Sequence, residues 1–175
     1  YDITCRDGSS DVCSSDLALL TVQLGRLEEQ IRQRARTHDF LYGKFQGVPG
    51  IKTMRPEDPS STRRSHHGMA LRFVESEWDG VTRDRFVQAM AAEGVPISSG
   101  YGFPLYKEPA FTKRENLPPG DYPDYGSMQL PVAEKVGREG LLIPQTMLMA
   151  KPDDALDIVR AAEKIYENRR ELLTS

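Results

Sequence analysis

Cysteine is nearly missing from this chain of 175 residues: the two present, Cys5 and Cys13, both fall in the first thirteen. Neither has a second cysteine pair or a histidine near it, so they make a poor metal site, and a disordered tail or a zinc or disulfide element are the competing readings of that segment. The rest of the chain therefore offers no thiol nucleophile. No serine sits in a Gly-x-Ser-x-Gly turn, and Ser98 and Ser99 read as strand-end serines satisfied by backbone, without a basic partner nearby in sequence. Histidine is scarce too. Of the three, His66 and His67 are adjacent, and neighbours in an extended segment point to opposite faces, so they cannot readily share an ion. No metal site is expected. A Gly-x-x-x-x-Gly-Lys phosphate loop is lacking, Gly100-x-Gly102 alone is a weak signal, and Arg63-Arg64 reads as solvated. No apolar run approaches the roughly 20 residues that a membrane-spanning helix needs. Nor is there a basic surplus: charged residues make up 28% and the net charge is −3, which disfavours nucleic-acid and anionic-membrane surfaces. No basic-then-apolar leader is visible, and the cytoplasm is the expected compartment.

What is present suffices for one domain with a core. Residues 1–17 are polar and show neither secondary-structure period, and 10–17 read like the translation of a sequencing-library adaptor. They are expected to be a non-native leader and are set aside. A long amphipathic helix is expected over 19–46, with Leu20, Leu24, Leu27, Ile31, His38, Leu41 and Phe45 at three- and four-residue steps and Arg34 interrupting. Gly47 and Pro49 end it. A strand at 51–54 and a loop at 55–65 follow. The strand at 68–74 alternates, with Met69, Leu71 and Phe73 on one face. Thr82 caps a helix whose apolar face is Phe86, Val87, Met90 and Ala91. Residues 95–97 read as a buried strand, and 113–127 as a loop. A proline-initiated helix at 131–138, a strand at 141–143 and a helix from Pro152 complete the chain. The last helix is expected to bury Leu156, Val159, Ala162, Ile165 and Tyr166. Together these predict an α+β fold: a small mixed sheet covered by helices on one side and entered along the long helix.

The most informative stretch is 93–111. Gly94 suits the left-handed position past a helix end, and Pro104 and Pro109 stiffen a loop that holds Tyr101 and Tyr106. A stiff aromatic loop leaving a strand end is a common place for a binding site. Gly94-Val95-Pro96 followed by Tyr101-Gly102-Phe103-Pro104-Leu105-Tyr106 resembles the small domain of DegT/DnrJ/StrS-type aminotransferases. These are pyridoxal-phosphate enzymes that aminate keto-sugars and keto-cyclitols. Gln23-Leu24-x-Arg26-Leu27, Pro49-Gly50-Ile51, Pro131-Val132-Ala133-Glu134 and Leu142-Ile143-Pro144 extend the resemblance in order from Ala18 to the C-terminus.

The resemblance implies that 18–175 is the C-terminal small domain of a fold-type I enzyme, with 18–46 as the interdomain helix. It implies that Tyr101 and Tyr106 line the substrate side of a cleft, although many members carry histidine at one or both places. Packing within the loop is the other reading for both rings. His67 stands at a strand start where members often carry His or an aromatic; it is a substrate contact or a packing residue. The catalytic lysine and the main cofactor contacts belong to the family's large domain, and no lysine here lies in a matching motif. No catalytic or cofactor-binding residue is therefore expected in this chain, which alone should bind no pyridoxal phosphate and be inactive. The intact parent would be a homodimer that moves an amino group from glutamate or glutamine to a keto-sugar or keto-cyclitol. Dehydration of a sugar on the same scaffold, or a non-catalytic interaction module using the long helix, are the alternatives.

Overall fold

The computed structural model describes residues 14–54, 64–113, 115 and 118–173. Most of the expected leader and of the 55–65 loop lies outside the described residues. Helix α1 (Ser14–Phe45) opens the described chain and starts five residues before the expected 19. Its second half is anchored. Leu41 and Phe45 are buried, and the Thr37 hydroxyl and Gln33 amide both donate to the carbonyl of Ala150 at 3.0 Å. Arg34, the polar interruption of the stripe, is buried as well and donates from Nε to the carbonyl of Ser65 at 3.1 Å. The first half differs: Leu17, Leu20, Leu24 and Leu27 stay exposed.

Three strands form one sheet in the order β1 (Ile51–Thr53), β2 (Gly68–Phe73), β3 (Gly140–Pro144). Both pairings are antiparallel, with Ile51 opposite Phe73 and Leu71 opposite Leu141. The expected α+β architecture stands, but its strands are not mixed in direction. The expected strand at 95–97 does not form either. Pro96 has no N–H to give a ladder, so pairing is confined to Ser98 and Leu142, which exchange backbone bonds of 3.0 and 2.8 Å. Val95 and Ile97 are nonetheless buried.

Alternation along β2 sends Met69, Leu71 and Phe73 to the inner face, as the sequence predicts. The second half of α1, α2 (Arg83–Ala92) and α5 (Pro152–Glu167) supply the core on that side. The Thr82 hydroxyl caps α2, accepting from the Arg85 amide. Phe86 and Met90 are buried with Val87 beside them, whereas Ala91 is exposed and Ala89 takes its place. On α5 the buried face is Ala155, Ile158, Val159, Ala161, Ala162 and Ile165, with the expected Leu156 and Tyr166 only half-buried. Alanines on that face are too small to dominate a hydrophobicity pattern, yet they let the helix lie close. No helix among the described residues is long and apolar enough to cross a membrane.

Candidate functional site

The outer face of the sheet is the one the three core helices leave uncovered. Gly68, Ala70 and Arg72 of β2 and Leu142 of β3 alternate onto it. Two short segments approach it. One is the turn-rich loop from Ser99 to Glu108, which contains a 3-10 turn at Leu105–Lys107 and leads into α3 (Pro109–Thr112). The other is α4 (Pro131–Glu139), started by its proline and running straight into β3. Between them lies a cavity of about 580 Å³ whose walls include Met54, Ala70, Tyr101, Phe103, Val136 and Leu142. Ser99, Glu108 and the Tyr101 hydroxyl are its polar side-chain groups. A second recess of about 420 Å³, lined by His38, Arg64, Ser65 and His66, shares Met54 and Ala70 with the first. An apolar hollow therefore adjoins a basic one along the same sheet face.

The two tyrosines of the loop are placed differently. Tyr101 is 90% exposed and stands at the wall of the larger cavity. Gly100 and Gly102 on either side both have positive φ, at 65° and 71°, so the backbone turns sharply and presents the ring outward. Tyr106 is only 7% exposed and turns away from the cavity. Its hydroxyl donates to Glu134 Oε1 at 2.5 Å and accepts from the Leu130 amide at 3.4 Å. Lys107 Nζ lies 3.0 Å from the same Glu134 oxygen. The Tyr106 hydrogen bond, and next the Lys107 ammonium, hold the Glu134 carboxyl below the usual carboxylate range. The carboxylate in turn raises Lys107.

His67 is exposed and lines neither recess. Its neighbour His66, at φ 48°, faces inward and lies with its ring 4.2 Å from that of buried His38. The left-handed backbone at His66 turns the chain between the two rings, and only His66 meets α1. The structure thus brings Tyr101, but not Tyr106 or His67, to the cavity. Sequence reasoning missed Glu134 as the partner of Tyr106, because 28 residues separate them and nothing local signals the pairing. It also missed Gly137, which lets α4 press against the loop: a Cβ there would sit 3.0 Å from the Phe103 Cα and 3.2 Å from the Gly102 carbonyl oxygen. Among the described residues no group of three or more His, Cys, Asp or Glu could hold a metal ion.

Comparison with known proteins bears on this geometry. The L-glutamine:2-deoxy-scyllo-inosose aminotransferase of Micromonospora echinospora is 32% identical over 171 residues, covering 93% of this chain and 40% of that protein. The crystal structure of 3-amino-5-hydroxybenzoic acid synthase matches with a TM-score of 0.69 at 19% identity, over 86% of this chain and 38% of that one. The Streptomyces venezuelae DesV structure, in complex with a ketimine intermediate, matches with a TM-score of 0.65 at 22% identity, over 87% and 36%. At such identities the structural likeness establishes the fold. The chain spans about two-fifths of the length of the curated relatives it matches. Residues 14–162 match the DegT/DnrJ/EryC1/StrS aminotransferase family, and the chain belongs to that family.

Proposed function

We propose that this chain is the small-domain part of a pyridoxal-phosphate-dependent aminotransferase that transfers the amino group of glutamine to a keto-cyclitol. In this reading α1 is the interdomain helix and the intact parent is a homodimer. Tyr101 contacts the substrate ring, Tyr106 holds the loop in place, and His67 lies at the margin of the same face. The observation that carries the reading is the exposed Tyr101 ring at the wall of an apolar cavity, in a chain 32% identical to an aminotransferase of 2-deoxy-scyllo-inosose. A cyclitol ring has C–H faces that rest on an aromatic ring, while its hydroxyls reach for polar groups at the rim.

The residues described here do not fit the cofactor. A lysine that bonds to a carbonyl cofactor needs a dry pocket and a lowered pKa. Each of the seven lysines, from Lys44 to Lys164, lies exposed. We expect titration of the 175-residue chain with pyridoxal phosphate to give no saturable visible absorbance; a saturable band would overturn this part of the reading. In the intact parent, glutamine and 2-deoxy-scyllo-inosose should give the amino-cyclitol, detected by mass spectrometry. Tyr101→Ala there should raise KM for the keto-cyclitol about tenfold and leave kcat within a few-fold, the pattern of lost ground-state binding. A dehydrated product without nitrogen would replace transamination with dehydration, and an unchanged KM would remove Tyr101 from the substrate.

A further inference from the structure

We infer that Glu134 is a positioning residue: its carboxylate, at the start of α4, fixes the aromatic loop that carries Tyr101. The inference rests on the reading of that loop as the substrate contact, but its evidence is separate. Tyr106, Lys107 and Leu130 converge on one point. The Tyr106 hydroxyl donates to Glu134 Oε1 at 2.5 Å, Lys107 Nζ reaches the same oxygen at 3.0 Å, and the Leu130 amide donates to the Tyr106 hydroxyl. Hydrogen bonds with an ionised partner are stronger than neutral ones, and this one is part-buried, with the Tyr106 ring inside and the Glu134 carboxylate half-buried.

The loop needs such a tie. Its own backbone bonds are short-range, from the Phe103 amide to the Tyr101 carbonyl, Lys107 to Pro104, and Glu108 to Leu105. Gly100 and Gly102 add conformational freedom rather than restraint. One helical turn along α4 from Glu134, Gly137 lies against the loop backbone at Gly102 and Phe103. The Gly137 carbonyl accepts from the Arg83 guanidinium at 2.5 Å, which ties α4 to α2. Helix α4 therefore grips the loop at two points one turn apart, by charge at Glu134 and by close backbone approach at Gly137. The two points hold the loop on the C-terminal side of Tyr101, at Gly102–Phe103 and at Tyr106, so where α4 sits constrains the backbone that carries the Tyr101 ring.

The sign of the pH dependence follows from the lowered carboxyl. Its contribution is complete above the ordinary carboxylate value of 4.5 and is lost as pH falls through the depressed folded value. Amide hydrogen exchange in the 175-residue chain tests the assignment. Glu134→Gln should cut the protection of the Lys107 and Glu108 amides about tenfold, with the paired Ser98 and Leu142 amides unchanged. Wild-type protection at Lys107 and Glu108 should fall below pH 4.5 relative to Ser98 and Leu142, and this pH response should vanish in Glu134→Gln. Tyr106→Phe, which keeps the ring, should give the same loss, with no further loss in the double variant. Unchanged loop protection in Glu134→Gln, a pH-independent wild type, or equal losses at all four amides would each overturn the positioning role. Tyr101→Ala should leave these amides as they were. A silent Tyr101 in the parent's kinetics would thus sink the substrate reading without touching Glu134.

Discussion

Alanine at position 50 is expected to cost the chain a large share of its stability. Gly50 sits at φ +72°, where a residue with a Cβ pays roughly 1–2 kcal/mol for the left-handed backbone alone. The larger obstacle is Trp78. A Cβ on residue 50 would lie 2.2 Å from Trp78 Nε1 and 2.6 Å from Cδ1. The indole has nowhere to go: it is fully buried, with Phe73, Phe86 and Tyr166 at centroid distances of 4.9, 4.8 and 5.1 Å. Its Nε1 also donates to the Gly50 carbonyl at 3.2 Å, so any retreat leaves a buried N–H without its acceptor. Backbone strain and overpacking together suggest a loss of about 2–5 kcal/mol, against a total of about 5–15 for a typical domain. Urea denaturation followed by far-ultraviolet circular dichroism, which reads the variants with and without Trp78 alike, should show the midpoint fall sharply. Combining Gly50→Ala with Trp78→Phe should recover part of the loss, since the smaller ring frees the space the Cβ needs. A Gly50→Ala midpoint equal to wild type would mean that the turn and the indole are not locked together.

How far the sequence foretold this fold depends on which force decides each element. Where burial alternates cleanly the reading succeeds: Met69, Leu71 and Phe73 on β2 are buried together, and Thr82 caps α2. Proline starts to α4 and α5 and the stripe at Leu41 and Phe45 were equally legible. Failures arise where one residue overrides the local pattern or where long-range partners rule. Val95 and Ile97 look like a strand and are buried like one, yet Pro96 denies them a ladder. The buried side of α5 includes Ala155, Ala161 and Ala162 and lies against α1 and α2, a packing choice that side-chain hydrophobicity does not reveal. At the candidate site the loop was recognisable from its glycines, prolines and aromatics. The different placements of Tyr101 and Tyr106 were not, because Tyr106 is held by Glu134, 28 residues further along the chain. The same holds for Trp78, whose partner Gly50 lies on the far side of the sheet's first two strands in sequence.

The exposed half of α1 leads to the second large effect. Leu17, Leu20, Leu24 and Leu27 recur at three- and four-residue steps and are 55, 52, 69 and 41% exposed. They form one apolar stripe on the part of the helix that precedes its packed half. Among the described residues the Thr21 hydroxyl bonds back to the Leu17 carbonyl there, and Glu29 pairs with Arg32 and Arg36 on the surface. Exposed pairs of this kind contribute little, and an exposed stretch of helix is marginal in water. Burying a leucine is worth roughly 1.5–3 kcal/mol, so covering several of them would stabilise both the stripe and the helix beneath it. The 175-residue chain is accordingly expected to self-associate as its concentration rises, seen as a growing sedimentation coefficient. Leu20→Gln, Leu24→Gln and Leu27→Gln together should abolish that growth, because glutamine keeps nearly the same helix propensity while removing the apolar surface. Leu41→Ala provides the contrast. On the same helix but fully buried, it should lower stability by about 2–5 kcal/mol and leave association through the stripe in place. A wild-type chain that stays monomeric across the range, or a triple variant that associates just as strongly, would show that the leucines are satisfied within the single chain.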